Sequence, residues 1–200
     1  ENTEGEYSGA GGRVHPKLPQ EVGIDVSVFT RDGIERVMRY AFELALTRPK
    51  KQLTLVTKSN AQRHGMVLWD EVFEKLKHDY PGITTDRMLV DAITTRMVLQ
   101  PQSLDTIVAT NLHADILSDL AAALSGSLGI GPTANINPER TFPSMFEPIH
   151  GSAFDLVGKD LANPLGAFWS CVMMLEHLQE KKGASLLMSA IEEVLSLIHI

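Results

Sequence analysis

Thr106-Ile-Val-Ala-Thr-Asn-Leu-His-Ala-Asp-Ile-Leu-Ser-Asp119 joins two periodicities in one short stretch. Thr106-Ile-Val-Ala109 reads as a short buried strand. Beyond it Leu117, Leu120, Ala121 and Leu124 recur at helical spacing, so a helix is expected from about Ala114. A buried strand running into a helix is the building unit of an α/β fold. The same spacing sets Asp115 and Asp119 four residues apart, on one helix face, in its first turns. Two carboxylates so placed repel each other unless a cation lies between them. Mg²⁺ and Mn²⁺ are hard cations that take oxygen ligands of this kind. The plainer alternative is a solvated helix face with an acid favoured by the macrodipole.

Working outward, strand and helix patterns alternate. Val22, Ile24, Val26 and Val28 alternate with polar residues or glycine, which predicts a half-buried strand after the glycine-rich loop Gly9-Ala-Gly-Gly12. Thr30 is placed to cap a helix carrying Ile34, Val37, Met38, Ala41 and Ala45 on one face. Leu53–Thr57 predicts a strand, and Met66, Trp69, Val72, Phe73 and Leu76 an amphipathic helix. Pro81-Gly82 marks a turn. Met88–Val90 ends a further strand, and Ala92–Leu99 suits a short helix. The class is therefore α/β. Glycine, proline and asparagine dominate from Gly126 to Pro143, so a domain change or a long functional loop is expected there. Two helices follow, over Leu165–Gln179 and Ala184–Leu197.

Composition narrows the class of protein. The chain has 200 residues, enough for one large or two small domains. A net charge of −7 gives no electrostatic footprint for nucleic acid. The single cysteine, Cys171, excludes an intrachain disulfide, suits a reducing compartment, and is expected to be a small buried helix residue. The apolar run from Pro164 to Leu175 is too short to span a bilayer. No signal peptide is visible, so a cytoplasmic location is expected. The chain opens on Glu1 without an initiator Met and closes on the apolar Ser196–Ile200, which suggests a fragment with a boundary artefact at its tail.

Four further groups could carry chemistry. Glu1-Asn-Thr-Glu-Gly-Glu-Tyr7 is acidic and ends in a tyrosine, a residue type that more often packs. Lys58-Ser-Asn60 follows a strand directly, where α/β folds place their sites. Asp91 follows another strand, although capping the next helix would also explain it. The small-residue loop Glu147–Asp155, with Gly158–Pro164, could bring backbone N–H groups to phosphates, and Asp155 could accept from a ribose diol. The G-x-G-x-x-G dinucleotide fingerprint is absent.

Five motifs, in order, carry a resemblance: ENTEGEYSG, VTKSNAQ, VDAITTRMV, NLHADILSDLAAALSGSLGIGP and EPIHGSAFDLVGKDLANP. From Glu1 to about Leu178 the chain resembles the metal-dependent β-decarboxylating dehydrogenases, the isocitrate/isopropylmalate dehydrogenase family. ENTEGEYSG followed by GGR, and GSAFD where GSAPD is commoner, look most like the tartrate/D-malate dehydrogenase branch.

The resemblance implies an isopropylmalate-dehydrogenase-like two-domain fold, incomplete at the N-terminus and at the C-terminus. Residues 1–125 would form the smaller, dimer-forming domain, and residues 126–200 part of the larger one. Tyr7 and Lys58 align with the family's catalytic tyrosine and lysine. Asp91, Asp115 and Asp119 align with the aspartates that hold Mg²⁺ or Mn²⁺. Asn60, His150, Gly151, Ser152, Ala153, Asp155 and Asn163 align with positions that bind NAD. Lys58, Asn60 and Asp91 would reach into the neighbouring subunit's site, which implies a homodimer with shared active sites. The family's arginine directly before Glu1, and two further upstream, would hold the substrate carboxylates.

The expected activity is NAD- and metal-dependent oxidation of a 2-hydroxy dicarboxylic acid, D-malate or tartrate, by hydride transfer with β-decarboxylation. The alternatives are a 3-isopropylmalate dehydrogenase, or a non-catalytic regulatory subunit of a hetero-oligomeric relative. Neither nucleic acid nor membrane is expected as a partner.

Overall fold

The computed structural model describes residues 4–126 and 128–197. The expectations attached to Glu1 and to the end of the tail therefore lie outside the described residues. The chain forms two compact units, one ending at Ser118 and the other beginning at Asp119. The composition change at Gly126 lies seven residues further on.

In the first unit, β1 (Gly5–Val14) pairs antiparallel with β2 (Val22–Val28), forming a ribbon separate from the other strands. Gly9–Gly12, expected as a loop, belongs to β1. Its residues from Ala10 onward pair regularly with β2, after a register irregularity between Gly5 and Ala10. Gly11 faces Asp25, and a Cβ there would sit 2.1 Å from the Ile24 carbonyl oxygen, so only glycine fits. The strand at Val22–Val28 is present, but every residue of it is exposed. The expected half-burial fails because alternation reports an apolar face without supplying a layer to cover it.

Thr30 caps α1 (Arg31–Thr47) by accepting a hydrogen bond from Gly33 N at 3.1 Å. Ile34, Met38, Ala41, Phe42 and Ala45 are its buried stripe; Val37 is exposed. β3 (Gln52–Thr57) follows, then α2 (Gly65–Leu76), β4 (Thr84–Leu89), α3 (Val90–Leu99), β5 (Thr106–Val108) and α4 (Asn111–Leu124). β3 is the centre of a three-stranded parallel sheet in the order β4-β3-β5. Its residues Leu53–Thr57 are all buried, as a central strand covered on both faces requires. Leu53 and Leu55 join Ile34, Phe42, Met66, Trp69 and Phe73 in the core. Phe42 stacks on Phe73 and on Tyr80, with ring centroids 5.4 and 4.7 Å apart.

Helix α4 begins at Asn111, three residues earlier than the periodicity indicated. Thr110 supplies the start: its carbonyl accepts from Ala114 N at 2.8 Å, and its hydroxyl from His113 N at 3.4 Å. Asp115 and Asp119 consequently lie beyond the first turn, and the macrodipole does not account for them.

In the second unit, β6 (Pro132–Asn135), within the stretch expected as a domain change or a long functional loop, pairs antiparallel with β7 (Met145–Pro148). α5 (Leu165–His177) and α6 (Lys181–Leu197) pack around Val172, Ala184 and Ile191. Ser170 fixes α5 to β7 through a 2.7 Å hydrogen bond to the Glu147 carbonyl. Cys171 is exposed, contrary to expectation, because it falls between the buried Ser170 and Val172 on the outer side of α5. No helix among the described residues is long and apolar enough to cross a membrane.

Candidate active site

The parallel sheet delivers three chain segments to the carboxyl ends of its strands, the position where open α/β sheets bind ligands. β3 ends at Thr57 and Lys58 is the next residue; Asp91 is in the first turn of α3, directly after β4; β5 leads through Thr110 into α4 and Asp115. Lys58 Nζ donates to Asp91 Oδ1 in an ion pair. That ammonium, and then the Asp91 backbone N–H, hold the Asp91 carboxyl below the usual carboxylate range. The Asp91 side chain is 65% exposed, so the pair adds little to stability. Its value is the placement of a cation beside an anion.

β1 reaches over the same end of the sheet. The Tyr7 hydroxyl donates to Asp115 Oδ2 at 3.5 Å, at the edge of hydrogen-bonding range. The preceding residue, Glu6, accepts from Thr110 Oγ1 at 3.1 Å, while its Oε2 is buried without a partner. His113 is 7% exposed and its Nδ1 is also buried without a partner. Sequence reasoning missed Glu6, Thr110 and His113, although all three lie inside or next to quoted motifs. Tyr7, Lys58, Asp91 and Asp115 are thus in one unit, at one end of its sheet.

Burial pushes the His113 imidazole below its ordinary value; the Glu6 carboxylate opposes this and the Lys58 ammonium adds to it. The folded chain therefore binds the His113 proton less readily than the unfolded one. Above an ordinary histidine value of about 6.5 both states are neutral and no stability is lost. As pH falls through that value the unfolded state protonates first, and stability falls until the lower folded value is passed. The urea midpoint of metal-free protein should drop between about pH 7 and pH 5.5, with a smaller drop in His113→Asn. Equal slopes in the two proteins would show that His113 is not the group responsible.

Asp115 and Asp119 are both exposed and one turn apart in α4. Their donor chemistry is all oxygen, which fits Mg²⁺ or Mn²⁺. Among the described residues, however, no three His, Cys, Asp or Glu side chains converge as a metal site. The aspartate pair fits a hard cation only as part of a ligand set. Asp91 is engaged with Lys58 in the same chain.

The second unit holds a groove of about 850 Å³ lined by Gly129, His150, Gly151, Ser152, Ala153 and Asn163, among others. Beside Gly151 and Gly158 a Cβ would meet no protein atom, so the backbone there is open to close approach. Ala153 has φ 41° and Asp160 φ 52°, both left-handed, which costs free energy and fixes an irregular loop. His150 Nδ1 lies 3.0 Å from the Gly151 carbonyl oxygen. Asn163 Oδ1 accepts from Leu165 N at 3.0 Å and so helps to start α5. Asp155 lies in the short 3-10 turn Phe154–Leu156 and is exposed, but it is not among the groove's lining residues. Asn60 is exposed in the turn after β3. The groove's chemistry fits a phosphate-bearing nucleotide: an open backbone with few side chains in the way.

Comparison with known proteins places the chain. The family model described as isocitrate/isopropylmalate dehydrogenase matches residues 1–198, and the chain belongs to that family. Within it, the chain falls in the tartrate/D-malate dehydrogenase branch. It is 68% identical over 194 residues to a probable tartrate dehydrogenase/decarboxylase of Agrobacterium vitis, covering 97% of this chain and 54% of that protein. It is 50% identical over 201 residues to the D-malate dehydrogenase (decarboxylating) of Escherichia coli, covering 98% and 56%. The crystal structure of isocitrate dehydrogenase from Methylococcus capsulatus superposes with a TM-score of 0.85 at 42% identity, covering 92% of this chain and 54% of that one. The chain thus spans about half the length of the curated relatives it matches.

Proposed function

We propose that this chain contributes most of the proton-transfer and metal-binding residues of an NAD⁺-dependent dehydrogenase that oxidises and decarboxylates a 2-hydroxy dicarboxylate, D-malate or tartrate, in the cytoplasm. The observation that carries this reading is the pair of couples at the carboxyl end of one parallel sheet, Tyr7 with Asp115 and Lys58 with Asp91, each of which would serve a different site of a homodimer. The names and identities of the tartrate and D-malate relatives support the substrate class.

Asp115 and Asp119, with Asp91 of the partner subunit, would hold Mg²⁺ or Mn²⁺. That ion would supply Lewis acidity toward the substrate hydroxyl and its neighbouring carboxylate, and bound NAD⁺ would supply the hydride acceptor. Lys58 would take the hydroxyl proton as a neutral amine, having first given up the proton it donates to Asp91 here. When the β-carboxylate leaves as CO₂, the electron pair left on carbon needs a proton, and Tyr7 is the acid at hand. The groove from Gly129 to Asn163 would seat the NAD⁺ phosphates against backbone N–H groups. The homodimer is part of the proposal. The apolar ribbon formed by Val22, Ile24, Val26 and Val28 is uncovered in the single chain, and a second copy would cover it.

Partial reactions separate the two proton transfers. Lys58→Ala should abolish oxidation of the hydroxy acid. Tyr7→Phe should slow decarboxylation of the supplied 2-oxo acid by about a hundredfold, and hydride transfer less. Equal losses in every partial reaction would reduce Tyr7 to a positioning role. Wild-type turnover in Lys58→Ala would overturn the proposed chemistry.

A further inference from the structure

Asp70 lies in the middle of α2 and is 8% exposed, among the residues that α2 buries. A carboxylate in such a place is costly unless hydrogen bonds compensate it, and an apolar side chain would suit the face better. Its Oδ2 accepts from Ser59 Oγ at 2.8 Å and from Arg87 Nη1 at 3.0 Å. Its Oδ1 is buried without a partner. The two donors belong to the two segments that supply the Lys58–Asp91 pair. Ser59 is the residue after Lys58, in a turn closed by Ala61 N and Gln62 N, both donating to the Lys58 carbonyl at 2.9 Å. Arg87 lies in β4 opposite Leu55, just upstream of Asp91.

We propose that Asp70 is a positioning residue for the Lys58–Asp91 pair, tying through one oxygen the turn that presents Lys58 to the strand that delivers Asp91. This rests on the reading of Lys58 as the proton acceptor. The Arg87 side chain is 51% exposed, so its ion pair contributes modestly. The bond to the half-buried Ser59 is the one that fixes where the Lys58 backbone sits. A misplacement of about 1 Å in a proton-transfer group can cost on the order of a hundredfold in rate.

The test uses the intact protein with D-malate and tartrate, NAD⁺ and Mn²⁺. Asp70→Ala and Ser59→Ala should each lower kcat by about tenfold or more while leaving the KM for NAD⁺ within about twofold. Ser59→Thr keeps the hydroxyl and should recover most of the loss. The double variant should be little worse than Asp70→Ala alone, because Asp70→Ala already removes the Ser59–Asp70 bond. Ser59→Ala with wild-type kcat, or losses that multiply in the double variant, would overturn the proposal. Where Asp70→Ala does not fold, the Ser59→Ala and Ser59→Thr pair decides. Lys58→Ala is measured alongside. If it is active, the assignment of Lys58 falls and the positioning role with it. If it is dead while Ser59→Ala is unimpaired, only the positioning role falls.

Discussion

Mixing Lys58→Ala subunits with Asp115→Asn subunits should restore activity that neither has alone. Each variant by itself should be essentially inactive, and Asp115→Asn should also weaken Mn²⁺ binding by about tenfold or more. The expectation comes from how the chain divides its residues. Tyr7 is bonded to Asp115, Lys58 is paired with Asp91, and no three potential metal ligands converge among the described residues. If Lys58 and Asp91 serve the neighbouring copy, each homodimeric parent carries one lesion in both sites. A hybrid carries both lesions in one site and none in the other. With free subunit exchange, recovery approaches roughly a quarter of wild-type turnover. Mixtures that stay inactive despite demonstrated exchange would place Lys58 and Asp115 in one subunit's site.

Cofactor choice is the second large effect. NAD⁺ should be preferred over NADP⁺ by about a hundredfold or more in kcat/KM. Asp155 follows the groove-lining Ala153 by two residues, and no basic residue stands between His150 and Gly158. A carboxylate accepts hydrogen bonds from both ribose hydroxyls and repels a 2′-phosphate. Asp155→Ala should erode the preference mainly by weakening use of NAD⁺. Asp160 lines the groove itself and is the control. Should Asp160→Ala change the ratio while Asp155→Ala does not, the ribose carboxylate is Asp160. Equal use of the two cofactors by the wild-type protein would defeat the argument.

The elements readable from the sequence were those whose side chains announce one buried environment. Leu53–Thr57 is a run buried on both faces, and Met66, Trp69, Val72, Phe73 and Leu76 bury one stripe of α2. Elements whose stability lies in backbone pairing left weaker marks. Ala10–Gly12 has no apolar alternation, yet it pairs with Ile24–Val26 because glycine lets the ribbon close. Pro132–Asn135 reads as loop, yet it forms β6 against β7. The start of α4 lies ahead of its apolar stripe, because Thr110 begins the helix by hydrogen bonds that leave no mark in the periodicity. For the site, residues that directly follow strands were legible by position, as Lys58 and Asp91 show. Asp70 was not: its partners Ser59 and Arg87 are distant in sequence, and only packing brings the three together.

The β1–β2 ribbon has a consequence for how the chemistry responds to dilution. Two-stranded ribbons are marginal in water on their own, and β2 is exposed along its whole length. The same ribbon holds Glu6 and Tyr7 over the sheet. In the proposed homodimer, ordering of Tyr7 and coverage of the ribbon would be one thermodynamic event, so that chain concentration would enter the rate law. Below the concentration at which copies of that dimer associate, the core around Phe42 and Phe73 would persist while the proposed acid lost its footing. Such a protein would fall silent before it unfolds.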